Sequence, residues 1–157
     1  MTEKMTPSLL LKMKASTPQE MDILSTLLQD ALLPKTAFAY NKKEKQAHLL
    51  LNRFCWEHMP HRRDRKILPI KSSKPYYRVH TGVYFHDVDH VWVNTIFKRH
   101  PIWELLNLLT IHADEKNDVN LIFSGGAHIR LSMKQCCAHL KDLHDGWPTY
   151  VKPHHVS

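Results

Sequence analysis

Three groups of side chains in this sequence have types and spacings that chemistry can use. The first is His86-Asp87-Val88-Asp89-His90. Imidazoles and carboxylates are the donor set of a zinc-type site. On an extended strand, though, His86 and His90 share one face while both aspartates take the other, so only a sharp bend would make them converge. Metal-ligating histidines also need partners for their second nitrogen. The plainer reading is a polar turn with solvated aspartates. The second group is Cys136, Cys137 and His139. A thiolate in the first turns of a helix is stabilised, and an imidazole three residues on would share the face of Cys136. Against this, Cys136 falls on an apolar stripe, where cysteine behaves as a small hydrophobe. No serine sits in a nucleophile-elbow pattern, so a Ser-His-Asp triad is not assembled.

The third group is a basic segment. Arg62, Arg63, Arg65, Lys66, Lys71, Lys74 and Arg78 are opposed only by Asp64, and seven against one leaves +6 of the chain's formal +7. Guanidinium forks bind phosphates, and the faces of Tyr76 and Tyr77 can stack on unpaired bases. The same segment also reads as a solvated loop that aids solubility. Neutralising Arg62, Arg63, Arg65 and Lys66 is expected to weaken binding to an acidic partner while the fold survives.

Ser124-Gly125-Gly126 raises a separate question, because paired glycines build phosphate cradles as well as hairpin bends. A cradle leads from a strand into a helix N-terminus. Here Leu121 and Phe123 alternate before the glycines, and Ala127, Ile129 and Leu131 alternate after them, which predicts two strands and a positive-φ turn.

The elements that must position these groups follow from periodicity. Residues 9–15 read as a strand. Residues 16–34 read as a helix with a Thr17/Glu20 capping box, Pro18 in its first turn, a stripe of Leu24, Leu27, Leu28 and Ala31, and Pro34 as its stop. A hairpin is expected with arms Thr36–Tyr40 and Gln46–Trp56. Within it Arg53 and Glu57 share a side as an ion pair, and Trp56 anchors the core or the sheet edge. Residues 58–78 break the pattern with prolines and charge and read as a long loop. Residues 78–97 resume strand character, with "HDVDH" as a turn or bulge. "WELLNLLTIHAD" fits either a short buried helix or a strand, and its tail "LLTIHA" before the polar "DEKND" turn favours the strand. A final helix is expected from Ser132, capped with Gln135, with Cys136, Leu140 and Leu143 on its apolar face and Gly146 as its end. The tail at about 150–157 reads as loose.

Two helices flanking about six or seven antiparallel strands imply an α+β fold. It has a curved, mainly antiparallel sheet, an N-terminal helix after the first strand and a C-terminal helix. A pleckstrin-homology-like sandwich is one specific version. The 157 residues suit a single domain, 1–157. No apolar run approaches the length of a membrane span, and the early leucine run is too short for a secretory signal. An odd cysteine count with two adjacent cysteines fits reduced thiols in a cytoplasm.

The strings "LLQDALL…AFAY", "LLLNRFCWE", "RVHTGVYF", "LIFSGGAHIRL" and "DLHDGWPTYVKPHH" occur in this order from about Leu9 to His155. Together they resemble a family of small alphaproteobacterial proteins known as a domain of unknown function. The resemblance implies a bacterial, cytoplasmic, single-domain protein and carries over no catalytic residues.

The leading expectation is a non-enzymatic interaction module without a cofactor. Arg62, Arg63, Arg65 and Lys66, helped by Lys71, Lys74 and Tyr77, would contact a nucleic acid or an acidic protein. The competing class is an enzyme using His86 with His90 as metal ligands, or Cys136 with His139. A third is a structural subunit, which exposed Trp92, Trp103 or Trp147 would favour.

Overall fold

A computed structural model describes residues 10–58 and 75–153. Most of the expected basic loop, 59–74, and the end of the tail, 154–157, lie outside the described residues. In chain order the elements are β1 (Lys12–Ala15), α1 (Pro18–Leu27), β2 (Leu32–Pro34), β3 (Phe38–Asn41), β4 (Gln46–Phe54), β5 (Tyr76–Phe85), β6 (Val88–Val93), α2 (Thr95–Arg99), β7 (Leu105–Ala113), β8 (Val119–Phe123), β9 (His128–Met133), β10 (Ala138–Asp142) and β11 (Trp147–Thr149).

The strands form one open sheet in the order β1-β10-β5-β4-β2-β7-β8-β9-β6, with β3 beside β4 and β11 beside β5. Every pairing is antiparallel. Short β2 joins the two halves, since Leu32 lies opposite both Asn52 and Asn107. The chain crosses between the halves at His86-Asp87, where Asp87 takes φ 57°. The register also slips between Val88 and His90. The "HDVDH" stretch is therefore both a turn and a bulge.

Alternation makes the core. Leu49, Leu51, Val83 and Phe85 from one half meet Leu108, Ile111, Leu121, Ile129 and Leu131 from the other in a single buried cluster. Helix α1 adds Met21, Leu24 and Leu28 to it. The cap of α1 is as the sequence predicts: the Glu20 amide donates to Thr17 Oγ1 at 3.1 Å. The Glu20 carboxylate reaches back one residue further, accepting from the Ser16 amide at 2.6 Å.

Three expectations need correction. Helix α1 ends at Leu27, not at Pro34. Asp30 turns the chain at φ 61°, its amide donates to the Leu108 carbonyl, and Ala31 accepts from the Leu108 amide. The backbone of β7 thus captures this stretch as a strand, and Pro34 sits inside β2. Second, no C-terminal helix forms among the described residues. Ser132 lies in β9, and the segment read as a helix holds the end of β9 and all of β10, with β11 following Gly146. Cys136 and Leu140 are four apart, a spacing common to both periods. The buried set is Cys136, Ala138, Leu140 and Asp142, which alternates by two. Pairing with β5 on one side and β1 on the other overrides helix propensity. Without that helix, the pleckstrin-homology-like version loses its defining element. Third, a short helix α2 follows Asn94, whose side chain accepts from the Phe97 amide at 2.9 Å. Sequence periodicity did not indicate it.

The glycine question resolves as a hairpin bend. Gly125 and Gly126 take φ 77° and 92° between β8 and β9, and the Phe123 amide donates to the Ala127 carbonyl at 2.9 Å.

Candidate anion-binding face

The half of the sheet made by β1, β10, β5 and β4 has a core face and an outer face, and the two carry opposite chemistry. On the core face Arg53 is fully buried. Its Nε and Nη2 donate to Asp142 Oδ1 and Oδ2 at 3.2 and 2.8 Å, while Nη1 and Nη2 donate to Glu57 at 2.9 Å each. Asp142 also accepts from Thr81 Oγ1 at 2.7 Å and from the Leu11 amide at 2.8 Å. Burial alone would pull the Arg53 guanidinium down, but its bonds to Glu57 and Asp142 more than offset that and hold it protonated. What the sequence offers as a simple Arg53–Glu57 pair is a clamp that ties β4, β5, β10 and the segment before β1 together. Trp56 is an edge anchor: its Nε1 donates to the Gln29 carbonyl at 2.9 Å.

The outer face follows from the same register. Lys14, His139, Tyr84 and His48 form one row across the four strands. Lys12, Lys141, Gly82 and Leu50 form the next. Gly82 matters here because it carries no side chain: a Cβ would meet the Tyr84 ring at 3.3 Å, so Tyr84 lies across it. A groove of about 440 Å³ is lined by Lys12, Lys14, Tyr84, His139 and Lys141 with Met13 and Leu140. All three lysines are exposed. None of the four strands contributes an acidic side chain to this face, since the only one they contain, Asp142, is buried in the Arg53 clamp.

Two histidine pairs flank the lysines. His86 Nε2 and His139 Nδ1 lie 2.7 Å apart. Burial lowers the His139 imidazole below its ordinary value, and His86, Lys14 and Lys12 lower it further. Towards the β11 side, His80 Nδ1 and His144 Nε2 lie 2.9 Å apart, with the Trp147 ring 4.8 Å from His80. The Asp145 carbonyl can only accept, so the hydrogen of neutral His144 sits on Nδ1, 2.9 Å away. His80 Nδ1 is then the donor to His144. Burial, then His144, lowers the His80 imidazole. Arg78 stacks 5.5 Å over the Phe54 ring and donates to the Asn52 side chain at 3.2 Å.

The residues singled out from sequence are distributed differently. Arg62, Arg63, Arg65, Lys66, Lys71 and Lys74 lie outside the described residues. Tyr77 is on the core side, packed against Cys55 and Val79, so it does not share the lysine face. His86 meets His139 rather than His90, because the turn at Asp87 sends His90 away on exposed β6. Among the described residues no group of three histidine, cysteine, aspartate or glutamate side chains is placed to hold a metal ion. Cys136 is buried on the core side, whereas His139 faces out. Burial raises the Cys136 thiol, the reverse of activation. The groove residues Lys12, Lys14, Lys141 and Tyr84 were missed. Their signal was K-x-K at 12–14 and H-x-K at 139–141, a strand alternation hidden by reading 132–146 as a helix.

A family model described as a protein of unknown function (DUF2948) matches residues 11–155. The chain belongs to this family. The match spans every strand and helix described above, including both edges of the lysine groove. No curated protein and no solved structure matches the chain. No helix among the described residues is long and apolar enough to cross a membrane.

Proposed function

We propose that this DUF2948 protein is a non-enzymatic cytoplasmic interaction module whose outer β1-β10-β5-β4 face binds the phosphate backbone of a nucleic acid. The observation that carries the reading is the groove of Lys12, Lys14 and Lys141, to whose face the described strands β1, β10, β5 and β4 contribute no acidic side chain. A low-dielectric sheet lined by one sign of charge concentrates counter-ions of the other. Tyr84 in the groove and Trp147 beside His80 add ring surfaces suited to unpaired bases. The basic segment at 59–74 is joined in sequence to β5, whose Arg78 belongs to the same face. Arg62, Arg63, Arg65, Lys66, Lys71 and Lys74 are proposed to extend the contact, without Tyr77.

The test is fluorescence anisotropy of labelled single-stranded RNA and duplex DNA with wild type, the groove variant K12E/K14E/K141E, and a variant neutralised at Arg62, Arg63, Arg65 and Lys66. Loss of RNA binding in the groove variant, with wild-type circular dichroism, supports the reading. No binding of either nucleic acid at low salt overturns it and turns the search to an acidic protein.

A structural-subunit role has its own observation: Trp103 is 81% exposed and neighbouring Ile102 68%. Sedimentation that stays monomeric at high concentration, and is unchanged by W103S, would count against self-assembly through that loop.

A further inference from the structure

We infer that the His86–His139 pair couples phosphate binding in the lysine groove to the uptake of one proton. This rests on the anion-binding reading of the same face and adds its regulation.

The argument starts from hydrogen-bond capacity. Two neutral imidazoles with ring nitrogens 2.7 Å apart share one hydrogen, one ring donating and the other accepting. Adding one proton at the outer nitrogen of the donating ring keeps that bond and makes it charge-assisted. Adding a second turns the contact into donor against donor and breaks it. The pair is therefore a site for a single proton.

Its surroundings decide when that proton arrives. From β1 it faces Lys12 and Lys14. From β10 comes Lys141, from β5 the Tyr84 phenol, and from β4 the His48 ring, while the Cys137 carbonyl just before β10 accepts from the His86 amide. The exposed Asp87 carboxylate follows His86 in the turn, and Glu20 is engaged by the Ser16 amide. Cations outnumber anions around the pair, and with burial Lys14 and Lys12 lower the His139 imidazole while the groove is empty. A phosphate group among Lys12, Lys14 and Lys141 reverses that field and accepts a hydrogen bond from protonated His139. The pair then gains its proton with the ligand, and by linkage the ligand binds more tightly as pH falls.

The experiment is anisotropy of fluorescein-labelled polyuridine RNA at fixed ionic strength, at about pH 8 and about pH 6. One linked proton changes Kd by at most ten-fold per pH unit, so the wild-type Kd should fall by roughly ten-fold to a hundred-fold over this range. H86Q, outside the groove lining, should bind with nearly the wild-type Kd at the higher pH and lose the dependence, and H139Q should lose the dependence whatever its Kd at the higher pH. H112Q, at an exposed position of β7 in the other half, should keep it. Wild-type slopes in both H139Q and H86Q, or a pH-independent wild type that still binds, would overturn the coupling while leaving the anion face standing. Absence of RNA binding at both pH values would overturn the face and the coupling together.

Discussion

Replacing Asp142 with asparagine tests whether the Arg53 clamp holds the basic face in place. The side chain of Asp142 is fully buried and receives four hydrogen bonds, from Arg53 Nε and Nη2, Thr81 Oγ1 and the Leu11 amide. Asparagine keeps the shape and one acceptor oxygen, but its amide group points donors at donors. Breaking a buried ion pair by removing one partner costs about 3–5 kcal/mol. Glu57 still neutralises Arg53, so the loss should sit at the low end, about 3 kcal/mol. For a chain of this size that lowers Tm by about 6–12 °C. E57Q is the internal control. Its carboxylate is 25% exposed, so screening should limit the loss to about 1 kcal/mol. Urea unfolding followed by tryptophan fluorescence measures both. A D142N midpoint equal to wild type, or E57Q losing more than D142N, would refute the clamp as the larger contributor.

Further expectations concern the thiols, the histidines and the hairpin. Cys55 is buried and its thiol is pushed up to about 12, chiefly by burial, so native protein at neutral pH should leave it unalkylated. Cys137, the least buried of the three, should take the first label, and C137S should abolish it in mass spectra. The imidazoles of His80, His128 and His139 are all lowered, mainly by burial. The unfolded chain then binds more protons than the folded one once pH drops below about 6.5, so stability present above that value is lost as pH falls towards the folded values. Differential scanning fluorimetry should show Tm declining on the acid side, less steeply in a triple glutamine variant, and a Tm rising with acid would refute it. G125A should cost about 1 kcal/mol from its left-handed backbone alone, because a Cβ there meets nothing within 4 Å. An unchanged urea midpoint would show that the bend relaxes.

Local signals read well where one period was possible. The Thr17 cap, the β3–β4 and β8–β9 hairpins and the strand at β7 all followed from turn residues and alternation. The segment 132–146 misled because Cys136 and Leu140 satisfy both helical and strand spacing, and only the flanking strands β1 and β5 decide between them. The site was hidden for the same reason. Lys12 and Lys141 are far apart in sequence and become cross-strand neighbours only through β1–β10 pairing. His86 and His139 likewise need the β5–β10 register to meet. Asp142 carries no signal of its burial in the sequence, which arises because Arg53, Thr81 and the Leu11 amide converge on it.

The most direct test of the basic face is the salt dependence of single-stranded RNA binding, for wild type and K12Q/K14Q/K141Q. Each phosphate neutralised contributes about −0.7 to the slope of log K against log salt. Removing three lysines should make that slope shallower by about 2 and weaken binding at every salt concentration. A triple variant with the wild-type slope and affinity would contradict the account and move any contact with RNA off this face.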